Sequence, residues 1–212
     1  MANKRCCDSV LRATARGHLL WALGGLAAAA VFRFLAGDLD FQPGYTTRAQ
    51  GQSYAVMIAC AACALIFGLV CLVLAVITPF RREKHPFTRA LRRNCPGLSD
   101  LPARALFAQV DGDLNENGER FGGGAAVVGR QWLFLAPPES WAVPLERICC
   151  AAWQGDRLLL GLTSGQYADL GGGRLNRPVL QEVLAAVRAR RPEIQLLPSA
   201  LELDRWRQEQ RR

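Results

Sequence analysis

Between Ala55 and Ile77 the chain reads AVMIACAACALIFGLVCLVLAVI, 23 residues without a charge. At ~1.5 Å rise per residue a helix of that length reaches ~34 Å, enough for a hydrocarbon core of ~30 Å. A membrane-spanning helix over 54–80 is therefore expected. A second apolar segment precedes it, Leu19 to Ala36, LLWALGGLAAAAVFRFLA. It is shorter, rich in alanine and carries Arg33, a charge that can snorkel to the interface from near a helix end. A span over 18–37 and an external loop over 38–53 follow. The rival reading of the first segment is a signal peptide, with a basic lead (Lys4, Arg5, Arg12, Arg16), an apolar core and small residues at Ala28 to Ala30. The apolar run continues past that point, and on either reading the second segment ends translocation.

Half of the 212 residues are hydrophobic, yet 21% are charged, a mixture expected of membrane segments joined to a soluble part. Flanking charge sets the orientation. Residues 1–17 carry four basic residues against Asp8, and the loop carries Asp38 and Asp40 against Arg48. After the second span come Arg81, Arg82, Lys84, Arg89, Arg92 and Arg93 with the single acid Glu83. Arg and Lys stay on the cytoplasmic side, so both ends are expected there. The stretch 81–99 reads as a basic juxtamembrane linker in which Phe87 and Leu91, spaced i, i+4 among arginines, suggest a short interfacial helix. Its six basic residues are the candidates for contact with anionic lipid, at ~1 kcal/mol each near the surface.

From about residue 100 short apolar runs follow at close spacing: RALFAQV (104–110), RFGGGAAVV (120–128), QWLFLA (131–136), AVPLER (142–147), ICCAAWQ (148–154), RLLLGLT (157–163) and QYADL (166–170). Turn formers such as DGDLNENG, GDR and SG separate several of them. About seven strands with no room for helices between them predict an antiparallel barrel or sandwich. One helix then closes it. Asn176 suits an N-cap, Pro178 the first turn, and Val179, Leu180, Val183, Leu184 and Val187 lie on one face before Pro192. A polar tail, 193–212, carries a second helix start at Ser199 with Glu202 three residues on.

This order, with QWLFLAPPESWAVPLERICCAAW at its centre, resembles that of bacterial pleckstrin-homology-like (PH-like) domains, some of which are tethered to two membrane spans. The resemblance covers about 100–192. It implies an α+β protein, a two-helix transmembrane hairpin followed by a PH-like antiparallel barrel or sandwich with a C-terminal capping helix. It also implies binding or scaffolding, without catalysis.

Other constellations carry less. Asp113, Asn115, Asn117 and Gly118 match the start of an EF-hand loop, but Arg120 stands at loop position 8 and Gly124 at position 12, where the bidentate acid belongs. A polar hairpin loop is expected instead, and no metal site. Cys60 and Cys63 have C-x-x-C spacing within the second span, the basis of an alternative function in thiol–disulfide redox chemistry. Small apolar residues in a packed helix are the plainer account. Cys149 and Cys150 are expected to face opposite sides of a strand, and Cys6 and Cys7 lie near the membrane, where some hosts acylate such thiols. Gly24, Gly25, Ala28, Ala29, Ala61, Ala64 and Gly68 allow close helix packing, within a hairpin or across a homodimer.

His18 and His85, the two histidines, have no evident Cys or Ser partner, and the GGG runs at 122–124 and 171–173 lack the Gly-Lys-Ser/Thr of a phosphate loop. No catalytic residue or cofactor is expected. Net charge +8 invites a nucleic-acid reading, but 100–187 holds 7 arginines against 10 acids, so nucleic acid is not an expected partner. The expected function is a membrane-anchored binding or scaffolding module at the cytoplasmic surface, with a protein segment or anionic lipid head group as ligand. A structural subunit of a membrane complex is a further alternative.

Overall fold

The computed structural model describes residues 6–37, 48–137, 140–171 and 174–209. Most of the expected external loop, 38–47, lies outside the described residues, as do Lys4, Arg5 and two glycines of the 171–173 run. Two compact units divide the chain: one comprises Leu11–Arg81, the other Met1–Val10 together with Arg82–Arg212.

The first unit is a pair of helices drawn from α1 (Cys6–Gly37) and α2 (Arg48–Ile77). Both contain stretches long and apolar enough to cross a membrane. Within the pair, small residues make the seam. A Cβ on Gly25 would stand 2.9 Å from the Gly68 Cα, and one on Gly68 would stand 3.1 Å from the Ala22 carbonyl oxygen, so the two backbones touch where neither residue has a side chain. Ala22, Ala29, Ala61 and Cys71 are buried along the same unit. Trp21 meets Phe67 edge to face, 6.4 Å between ring centroids. Gly24, in contrast, has open space around it.

The second unit is α+β. It contains the helices α3 (Pro86–Asn94), α4 (Ala103–Glu116), α5 (Arg177–Arg190) and α6 (Ala200–Glu209). Its strands are β1 (Glu119–Phe121), β2 (Ala126–Val128), β3 (Trp132–Leu135), β4 (Trp141–Pro144), β5 (Ile148–Gln154), β6 (Arg157–Leu162), β7 (Tyr167–Leu170) and β8 (Gln195–Leu197). They form two four-stranded sheets, β1-β2-β3-β4 and β7-β6-β5-β8, with every pairing antiparallel except β5 with β8. No closed barrel forms among the described residues, which corrects the expectation of a seven-strand barrel: the fold is two separate sheets packed on one core.

That core lies between the sheets. Ala126, Val128, Leu133 and Leu135 from one sheet meet Ala151, Leu158, Leu160 and Leu170 from the other, and α5 contributes Leu180, Val183 and Val187. Asn176 caps α5 by accepting the Val179 N–H at 3.2 Å, and Pro178 follows in the first turn. The run WLFL of β3 is buried on both faces. Leu133 and Leu135 point to the core, and the Phe134 ring meets Phe87 of α3, which in turn meets Phe107 of α4. Beyond the other sheet, Leu203 and Trp206 of α6 cover Cys150, Ala152 and Leu159.

Three local expectations are corrected. Residues 104–110 are helical, because Leu106, Phe107, Val110 and Leu114 continue one apolar stripe at helical spacing into DGDLNE, the segment expected to be a loop. The run 120–128 is a hairpin, since Gly122, Gly123 and Gly124 all take positive φ and break it into β1 and β2. The tail supplies an extra strand, β8, which closes the edge of β5.

Candidate functional site

From Arg82 onward the basic linker folds as part of the second unit. His85 caps α3, accepting the Phe87 N–H on Nδ1 at 3.2 Å, and Thr88 donates its hydroxyl to the Arg82 carbonyl at 2.6 Å. Phe87, Thr88 and Leu91 are buried, so the apolar face expected to lie on lipid is covered by protein. The six predicted basic residues separate into two sets. Arg82 pairs with Asp8 at 3.4 Å, and Arg92 pairs with Glu83 while donating to the Leu101 carbonyl at 3.0 Å. Glu83 also accepts the Ala103 N–H at 2.6 Å; that bond, with the Arg92 guanidinium, holds its carboxyl below the usual range. Arg81, Lys84, Arg89 and Arg93 are exposed, with Arg89 folded back on the Lys84 carbonyl through Nε and Nη2. Lys84, Arg89 and Arg93 form a solvent-facing basic rim of the second unit.

A second basic surface was hidden from sequence reasoning. A cleft of about 450 Å³ is lined by Arg130, Arg147 and Arg191, with one acid, Glu146, above Trp132, Pro144 and Leu145. Its arginines come from the β2–β3 turn, the turn before β5 and the end of α5. Arg147 donates to Thr163 Oγ1 at 3.3 Å, and Arg191 pairs with Glu193. Among the described residues no carboxylate lies within ion-pairing distance of Arg130 or Arg147. The wall thiol of Cys95 is pushed up to about 12 by burial, with Arg147 opposing that rise. Widely spaced arginines give no motif, so this cleft exists only in the folded chain.

Two carboxylates of α4 have structural work, among them Asp113 of the EF-hand-like run. Asp113 accepts the backbone N–H groups of Arg130, Gln131 and Trp132 at 3.1, 2.9 and 3.1 Å, holding the β2–β3 turn. Its oxygens are committed to amides, and a side chain on Gly129 would collide with them. Asp111, also on α4, accepts the Cys7 N–H at 2.9 Å and so caps the first turn of α1 from a distant element. Burial raises its carboxyl, while that N–H pulls it back down. Cys6 and Cys7 are buried here. Cys60 is half-buried and Cys63 exposed on α2. Among the described residues no group of three or more His, Cys, Asp or Glu is placed to hold a metal ion. Comparison of the chain with protein-family models, curated proteins and solved structures gives no match.

Proposed function

We propose that this chain is a membrane-anchored binding module, with both ends cytoplasmic, whose α+β unit recognises an anionic lipid head group or a protein segment at the membrane surface. The observation that carries this reading is the exposure of Arg81, Lys84, Arg89 and Arg93 immediately after α2, on a linker whose apolar side chains are already buried. Exposed guanidinium and ammonium groups next to a hydrophobic span attract anionic lipid. The Arg130–Arg147–Arg191 cleft offers a second acceptor for an anionic group, since arginine forks match carboxylate and phosphate geometry. The strand order, four then three then a closing helix, supports the PH-like resemblance, and β8 extends it. That resemblance favours binding over catalysis. Thiol–disulfide chemistry at Cys60 and Cys63 gains no support from their positions, one half-buried and one on the outer surface of α2.

Photo-crosslinking in intact membranes tests the reading. A photoreactive residue replacing Lys84 or Arg93 should yield anionic-lipid adducts or one recurrent protein adduct. The same residue at Asp204, exposed on α6, is the control. Equal yields at all three positions would refute the proposal.

A further inference from the structure

Adjacent cysteines on a regular strand point to opposite faces. In β5 they do not. The β5–β6 register pairs Ile148 with Leu162 and Cys150 with Gly161, so Cys149 is the extra residue of a β-bulge. Both Cys149 and Cys150 consequently pack in the cluster under α6. Both sulfurs also converge on one residue. Cys149 Sγ donates to the Gly161 carbonyl at 3.3 Å, and Cys150 Sγ occupies the space that a side chain at Gly161 would need. Trp206 Cζ3 and Leu203 Cδ1 close the pocket, 3.0 and 3.1 Å from that same point. Cys149 is half-buried and supplies the route in, while Cys150 is buried.

We propose that Cys149 and Cys150 are a vicinal dithiol site for one soft, two-coordinate cation, Cu(I). Thiolates favour Cu(I), zinc and iron–sulfur clusters, and structural zinc and iron–sulfur clusters take four protein ligands, more than this pocket presents. A disulfide is the poorer product, because consecutive Cα atoms are ~3.8 Å apart and disulfides prefer about 4.4–6.8 Å. In the binding step two S–H bonds break and two S–Cu bonds form. Copper stays Cu(I), and two protons leave to solvent. The glycine opposite the bulge, the shared face and the aromatic cover are together what a buried two-sulfur site needs.

The full chain in detergent, reduced and oxygen-free, is titrated with Cu(I) against a chromophoric Cu(I) chelator, beside C149S, C150S and C95S. Outer-shell partners of metals are worth up to ~100-fold in affinity, so loss of either ligand should weaken one tight equivalent by at least about that factor. C95S, which removes a buried thiol elsewhere in the unit, should keep it. A second measurement needs no substitution. One equivalent of Cu(I) should protect the peptide containing Cys149 and Cys150 from iodoacetamide, read by mass spectrometry. Protection confined to other cysteines, or a C149S titration matching the unaltered chain, would overturn the site.

Discussion

In the helix pair Leu20, Phe34 and Ile66 are 70, 69 and 62% exposed, whereas Leu133, Phe134 and Leu160 of the sheet unit are at most 2% exposed. The interiors are reversed as well. The pair buries Ala22, Ala29 and Ala61 at a glycine seam, and the sheet unit buries leucine, valine and phenylalanine. In water the hydrophobic effect drives large apolar side chains inward. Against lipid that drive vanishes, helix contact rests on backbone approach, and small residues take the seam. The contrast teaches that helices long and apolar enough to cross a membrane leave large side chains outside and small ones at the seam, while the sheet unit does the reverse.

The most direct way to break that contrast is truncation of matched residues. Leu133→Ala should cost ~2–5 kcal/mol in thermal unfolding of the detergent-solubilised chain, and Ile66→Ala no more than ~0.5 kcal/mol. Equal losses would mean that α2 has a protein partner on that face. Glycines give the next test. Gly161→Ala forces a methyl into the Cys150 sulfur, and Gly25→Ala forces one into the Gly68 backbone, each expected to cost ~1–3 kcal/mol by overpacking. Gly24→Ala, one residue away in open space, should be silent in the same assay.

Asp111 sharpens the comparison at the start of α1. Asp111→Ala should lose the cap on Cys7, ~1–2 kcal/mol. Because the folded carboxyl is raised above its ordinary 3.8, the folded state holds that proton more tightly than the unfolded chain does. Its contribution is therefore fully present below 3.8 and is lost as pH rises through the folded value. Asp111→Asn should flatten this part of the pH–stability profile and keep an acceptor for the amide. The smallest effects belong to the rim. Arg89→Glu and Arg93→Glu should each weaken binding to anionic vesicles by ~1 kcal/mol and leave the melting temperature unchanged. Arg92→Glu should instead lower it, because Arg92 joins Glu83 to the Leu101 carbonyl.

Legibility followed the range of the interactions. The two apolar helices, α5 with its Asn176 cap, and α6 beginning at Ser199 were readable because caps and periodicity are local. The helix α4 was not, since its aspartates look like loop residues until the amides of Cys7 and of Arg130 to Trp132 are seen to satisfy them. Of the lipid candidates, sequence named all six basic residues of the linker but could not tell that Arg82 and Arg92 turn inward. It did not suggest the arginine cleft or the shared face of Cys149 and Cys150. One depends on contacts between distant segments, the other on a one-residue bulge.

By itself, then, the sequence determined the apolarity of the two helices, the α+β character of the remainder and the positive charge beside α2, but not the extents of the helices, which start at Cys6 and Arg48 where 18 and 54 were expected. These depend on composition and on periods of two or about 3.6 residues. Tertiary structure alone decided that two sheets stay separate, that β8 closes the edge of β5, and which charged or thiol groups meet. Those outcomes rest on pairing and packing between residues far apart in the chain, where no local pattern records the partner.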